Sequence, residues 1–304
     1  MKTSKVATLA GYALLWAVLI LDSISASATE GTVSHNRLLA HDKAPNGAIA
    51  EGDIAVSTRE YARAMRQYQN ASNDKDPRVK SSAFNRIGEL YASGLGVGQN
   101  DAESFKWFRN AAVLGNPFAE ANLGNSYFFG IGVERNIEEA KRWLERGAEH
   151  GVPLAMNQLA WLYLNGLGTT LDAERARYWY AKSAATGDST GQGQLGWLFV
   201  HVQPVDYAQG MQWYKKAADQ NDETAQNNIG YLYENGLGVR QDFGEAARWY
   251  QMSADSGYSR AEFHLGHLYE AGLGVKADQA LARKLMQMSA AHGDAEATRW
   301  LSAH

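Results

Sequence analysis

Three short stretches of the chain set chemistry-bearing residues at suggestive spacings. Gly187-Asp188-Ser189-Thr190-Gly191 has the G-x-S-x-G form of a nucleophile elbow, in which a strand enters a sharp turn, a serine sits at its tip and a helix follows. Gly191-Gln192-Gly193-Gln194-Leu195-Gly196 has the G-x-G-x-x-G form that lets a pyrophosphate approach a helix N-terminus, again only after a strand. His264 and His267 stand three apart on one helix face, as a two-histidine metal pair does. Each signal lacks its context. No strand precedes either glycine motif, and no further ligand is evident near the histidines. Spacing brings no carboxylates together in a closed cleft. The chain has no cysteine, so it has no thiol nucleophile, disulfide or thiolate metal site. The expectation is a protein without catalytic residues, cofactor or metal.

What positions these residues is a repeat. Trp107, Trp143, Trp179, Trp213 and Trp249 follow one another at steps of 36, 36, 34 and 36 residues. Such a period marks a solenoid, in which each repeat buries its apolar face only against its neighbours. Other rows keep the same register. Glycine pairs recur at Gly94/Gly96, Gly130/Gly132, Gly166/Gly168, Gly236/Gly238 and Gly272/Gly274. A polar row follows them at Asn100, Asn136, Asp172, Asp206, Asp242 and Asp278, and each repeat closes on Gly115, Gly151, Gly187, Asn221, Gly257 or Gly293.

These rows describe two helices per repeat. In the first, Ala83, Ile87, Leu90 and Tyr91 fall on one face at helical spacing. The Asn/Asp row sits where an N-cap belongs. Glu103, Glu139 and Glu245 stand three residues after their caps, which predicts a capping box. In the second helix Ser104, Trp107, Phe108, Ala111 and Ala112 share a face, and the tryptophan row is expected to be core. The closing glycines take the C′ position.

The pattern resembles the Sel1-like repeat, a longer-looped relative of the tetratricopeptide repeat. Its fifth copy reads Ala225, Ile229, Gly230, Leu232-Tyr233, Gly236, Gly238-Val239, Asp242, Ala246, Trp249-Tyr250, Ala254 and Gly257. The resemblance implies an all-α fold, a right-handed α-α superhelical solenoid of helix–loop–helix repeats. Six repeats are expected within 80–295, at 80–117, 118–153, 154–189, 190–223, 224–259 and 260–295. The fourth departs from the pattern. His201-Val202-Gln203-Pro204-Val205-Asp206 is two residues short and lacks the glycine pair, so its loop must take another shape.

The ends read differently. Lys2 and Lys5, the apolar run Val6 to Leu21, and Ala26-Ser27-Ala28 have the layout of a secretory signal peptide over residues 1–28, with cleavage after Ala28. The alternative, an uncleaved anchor, meets a run short for the ~20 residues of a span. Residues 29–53 are small and polar and read as a flexible lead. Residues 54–79 hold a capping helix, read as a lone second helix with Tyr68 in the row of Phe108. Residues 296–304 begin one more first helix and cap the other end. A net charge of −4 and the lack of a basic stripe argue against nucleic acid. The expected address is periplasmic or secreted, with no stable membrane insertion after cleavage.

Residues that break the repeat are the candidates for function. Opposite the buried side of the first helices, one row reads Glu89, Asn125, Trp161, Trp197, Tyr231, His267. The row before it reads Arg86, Asn122, Gln158, Gln194, Asn228, His264, and the row after it includes Phe129. By the family resemblance, first helices line the concave side. Trp161, Trp197, Tyr231 and Phe129 would then stand amid Asn122, Gln158, Gln194, Asn228 and His267 as a partner-binding surface. In the opposing reading, the same rings pack against neighbouring first helices and are covered. The leading expectation is an exported non-enzymatic adaptor for a protein or peptide. A glycan-binding protein, with rings stacking on sugars, is the alternative, and an enzyme the remote one.

Overall fold

The computed structural model describes residues 47–304, which form fifteen helices and no strand. A leading pair, α1 (Gly47–Ser57) and α2 (Tyr61–Ala71), precedes six repeats. These are α3 (Pro77–Ser93) with α4 (Asp101–Val113), α5 (Pro117–Phe129) with α6 (Ile137–Glu149), and α7 (Pro153–Asn165) with α8 (Ala173–Ala185). Then come α9 (Ser189–His201) with α10 (Tyr207–Ala218), α11 (Glu223–Asn235) with α12 (Phe243–Asp255), and α13 (Ser259–Ala271) with α14 (Gln279–Ala291). A last helix, α15 (Ala295–Ala303), follows. The chain forms two compact halves that divide between Ala176 and Arg177. The expected signal peptide over 1–28 lies outside the described residues.

Each loop is organised by one polar side chain. All six residues of the Asn/Asp row cap the second helix of their repeat, accepting the N–H three residues on at 2.9–3.0 Å. The expected capping box does not form. The cap's own N–H already donates to the carbonyl of the first helix's aromatic row, as in Asn100 to Tyr91 and Asp242 to Tyr233, both 3.0 Å. Glu103, Glu139 and Glu245 instead turn forward to Lys106, Arg142 and Arg248. The second glycine of each loop is held by space as much as by its left-handed φ. A Cβ on Gly132 would lie 2.0 Å from the Asp101 carbonyl oxygen at the start of the preceding repeat's second helix.

In every repeat but the third, which has Ala160 there, the two helices meet at a glycine. A Cβ on Gly88 would stand 2.7 Å from the Phe108 ring, and one on Gly230 2.7 Å from the Tyr250 ring. Gly52 stands in the same relation to Tyr68, at 2.3 Å. That corrects the reading of the N-terminal end. Tyr68 is in the expected row, but α2 is not a lone helix, and the segment read as a flexible lead is helical from Gly47. The short polar turn at Thr58-Arg59-Glu60 replaces the glycine loop, with Arg59 at φ 61°. A search for the glycine pair therefore passes over this extra helical hairpin.

In the second, fourth and sixth repeats a second pairing links the start of the first helix to the end of the second. Glu120, fully buried, meets His150 Nδ1 at 2.7 Å and Arg146 at 2.8 Å. Glu262, also fully buried, meets His292 at 2.9 Å. At the same two positions the fourth repeat has Gln192 and Gln220, whose side chains bond at 2.9 Å. The first has Phe84 and Leu114, which line one cleft. The third and fifth repeats hold Met156 with Thr186 and Gln226 with Ser256. Where a carboxylate is buried at the first position a partner stands at the second, because a buried carboxylate left without one is costly.

The tryptophan row is not the centre of the core, as expected, but its edge. Trp107, Trp143, Trp179, Trp213 and Trp249 are half-buried, whereas the next residue in each case (Phe108, Leu144, Tyr180, Tyr214, Tyr250) is buried. The free flank of three tryptophans carries a cation three residues on: Arg146 over Trp143 at 4.7 Å, Lys182 over Trp179 at 5.3 Å and Lys216 over Trp213 at 3.8 Å. Tyr250→Ala is therefore expected to cost about 3–5 kcal/mol, as large-to-small changes of buried rings do, and Trp249→Ala clearly less. Chemical denaturation of the two variants checks the order; equal losses would restore the tryptophans to the core.

Candidate functional site

The candidate residues sit on the first helices, on the side turned away from their second helices. In the N-terminal half the row starts with a closed network. Arg86 is 3% exposed and bonds Asp53 at 3.0 Å across to α1, and it also pairs with Glu89 at 3.4 Å. The Tyr68 hydroxyl donates to Asp53 (2.7 Å), Asn85 to Glu89 (2.7 Å), and Asn122 to Asn85 (3.1 Å). Burial pushes the Glu89 carboxyl up to about 7, against the pull of Arg86. Asn122 is thus a member of this network, not a free amide. The leading helical pair occupies the position where a binding surface would otherwise begin.

Beyond it come rings. Trp161 and Phe129 are half-buried, and they are joined through a residue that the row analysis missed. Phe128, 7% exposed, meets Trp161 edge-on at 5.3 Å and Phe129 edge-on at 4.6 Å. Gln158, one turn before Trp161, is half-buried. In the C-terminal half Gln194, Trp197 and Asn228 are half-buried and Tyr231 is 40% exposed. His201 stacks on Trp197 with ring centres 4.7 Å apart. The rings are neither bare nor covered: Tyr231 is exposed, and Phe129, Trp161 and Trp197 are half-buried.

The histidine pair has a different use from the one its spacing suggested. His267 Nδ1 lies 3.1 Å from Glu270, and His264 Nδ1 4.0 Å from Glu234. His264 also stacks on Tyr250, centres 5.0 Å apart, and the Tyr250 hydroxyl donates to Glu234 at 2.5 Å. Trp300 Nε1 donates to Glu270 at 3.2 Å. Among the described residues no group of three or more His, Asp or Glu side chains is placed to hold a metal ion. Neither glycine motif finds a strand. Gly187 closes its repeat, Asp188 caps α9, and Gly196 is the glycine under the Tyr214 ring.

Glu234, Glu270 and Phe128 could have been found in the sequence. Their row reads Ala92, Phe128, Leu164, Val200, Glu234, Glu270, apolar until the last two repeats. The Asp53–Arg86 link could not, because the register of α1 has no loop signature to align it.

Fold and face together define a class, the all-helical repeat solenoid with a variable surface on its first helices. The Sel1 repeat model matches residues 81–116, 117–152, 153–188, 200–222, 224–258 and 259–294, and the chain belongs to the Sel1 repeat family. It is similar to a Sel1 repeat protein of Oxalobacter formigenes at 32% identity and a TM-score of 0.73, over 80% of this chain and 99% of that one. It is also similar to c5321, a protective antigen of uropathogenic Escherichia coli with the same fold, at 33% identity and a TM-score of 0.66. That match covers 84% of this chain, which spans 56% of the length of c5321. The comparison with curated proteins gave no match. Sel1 repeats generally mediate protein–protein interactions and form a scaffold that is not generally enzymatic.

The half-buried imidazole of His264 gives this face a pH signature. Burial pushes His264 down to about 4, with Arg260 and His267 acting in the same direction and Asp294 against. Protonation then favours the unfolded chain, whose histidine titrates near the usual ~6.5. The stability that depends on neutral His264 is complete above ~6.5 and is lost as pH falls from there toward about 4. His264→Phe keeps the stacking on Tyr250 and should flatten the fall of the melting temperature across this window. An unchanged slope would remove His264 as its source.

Proposed function

We propose that the chain is an exported adaptor without enzymatic activity that grips a protein or peptide partner on the outward face of its first helices. One observation carries this reading. At a single register position the repeats hold Glu89, Asn125, Trp161, Trp197, Tyr231 and His267, so the fold does not require a ring there. Of the three that are present, Tyr231 is 40% exposed and Trp161 and Trp197 are half-buried. Rings with one face anchored and one free lose little entropy on binding, and half-buried amides beside them add adjustable hydrogen bonds. The reading of Lys2, Lys5, Val6–Leu21 and Ala26-Ser27-Ala28 as a cleaved leader supports export to the periplasm or beyond. Among the described residues no helix is long and apolar enough to cross a membrane.

Tyr231→Ala removes the most open ring and should leave the melting temperature nearly unchanged. It should weaken partner binding by about 2 kcal/mol or more, as truncation of an anchor does. The partner is captured by a photo-crosslinking residue at position 231 in the native compartment, and affinity and unfolding are measured on each variant. Early unfolding with normal affinity would return the ring to the core, and capture of a glycan would overturn the partner class. The intact mass of the exported chain should correspond to a start at Thr29; a full-length mass would favour the anchor.

A further inference from the structure

We propose that the segment held by the C-terminal half is basic, and that Glu234 and Glu270 receive two of its lysine or arginine side chains. This rests on the partner-binding reading above and specifies its chemistry.

The two carboxylates are departures from the repeat, at a position that is apolar or alanine in the four earlier repeats. Both are held in place. The hydroxyl of the fully buried Tyr250 donates to Glu234 Oε2, and Trp300 Nε1 donates to Glu270 Oε2. The side chains are left 26% and 27% exposed, and among the described residues no hydrogen bond reaches either Oε1. They differ from the glutamates in the first turn of several second helices. Glu103, Glu139 and Glu245 are each neutralised by a lysine or arginine three residues on. Among the described residues the ion-pair partners of Glu234 and Glu270 are imidazoles, His264 and His267. Above about pH 4 His264 is uncharged. These carboxylates thus lack a permanent cation of their own.

The charge of the surroundings has the same sign. In the C-terminal half, α9, α11, α13 and α15 carry five glutamates against two arginines. The second helices α10, α12 and α14 are balanced, their five lysines and arginines offset by Glu245, Asp255 and the capping Asp206, Asp242 and Asp278. A basic ligand is drawn to the first helices. Tyr231, one turn before Glu234, adds an open ring face suited to an ammonium or guanidinium group.

Geometry sets the spacing. The two carboxylates occupy equivalent positions in successive repeats, and packed helices lie ~8–10 Å apart. An extended chain advances ~3.3 Å per residue, so the two basic residues should stand two or three apart in the partner.

The test uses the full mature chain and fluorescein-labelled dodecapeptides with a fixed leucine and two lysines placed one to five residues apart. Matched peptides carry acetyl-lysine or glutamate at the same sites. Fluorescence anisotropy at low and moderate salt should show tightest binding at spacings of two or three. Glutamate peptides should bind at least tenfold more weakly. Glu234→Gln and Glu270→Gln preserve shape and the hydrogen-bond acceptor, and together they should weaken the lysine peptides about tenfold and abolish the spacing preference. The melting temperature should stay unchanged. Lysine binding indifferent to both substitutions overturns the proposal. Equal binding of acetyl-lysine peptides, still lost in Tyr231→Ala, overturns the charge assignment while leaving the peptide-binding face standing. No binding by any peptide overturns both.

Discussion

The fold depends on how closely the two helices of each repeat approach. Except in the third repeat, where Ala160 takes its place, a glycine in the first helix lies under a side chain of the second, in five cases so near that a methyl group would overlap it: Gly52 with Tyr68, Gly88 with Phe108, Gly124 with Leu144, Gly196 with Tyr214, Gly230 with Tyr250. The side chain fills the space that a Cβ would take and is itself buried. Once that distance is fixed, the rotation of the first helix is fixed as well. Rows at other angles then face outward in every repeat, whatever residues they hold. This constraint on one side leaves the other side free to vary.

That freedom is used differently along the chain. In the first repeat the outward row goes to structure: Arg86 and Glu89 are drawn into a buried network with Asp53 and Tyr68. A charge removed from water needs nearly complete pairing, and the network supplies it between the leading hairpin and the solenoid. In the second and third repeats the row and its neighbours become aromatic, in the Phe128, Phe129 and Trp161 group. In the last two they become Tyr231, Glu234, His264, His267 and Glu270. A uniform backbone thus presents surfaces of different chemistry.

Most of the fold was legible in the sequence, because repetition averages out local accidents. Six caps, five glycine pairs and the closing turns reinforce one another, and Asn221 takes the left-handed conformation of the glycines it replaces, at φ 61°. What was less legible involved choices between adjacent positions. The tryptophans catch the eye, but helical rotation puts the next residue at the centre of the packing and leaves the indole at its rim. The capping boxes failed because the N–H they needed was already used. For the candidate face, the rows of Trp161 and Tyr231 could be read, since a residue that breaks a period is conspicuous. The buried partner of Glu234, Tyr250, lies on the second helix and becomes visible only in three dimensions.

The paired positions at Glu120/His150, Gln192/Gln220 and Glu262/His292 bear on how such a chain can be recombined. Both members of a pair lie inside one repeat, one near its beginning and one at its end. A crossover at the closing turns, such as Gly151 or Gly257, transfers both together. A crossover at the glycine loop between the two helices joins a carboxylate from one parent to an amide or an apolar residue from another, and buries a charge without its counterpart. The turns between repeats are therefore the permissive joints for shuffling, duplication or grafting. The loops within repeats, although richer in glycine, are not.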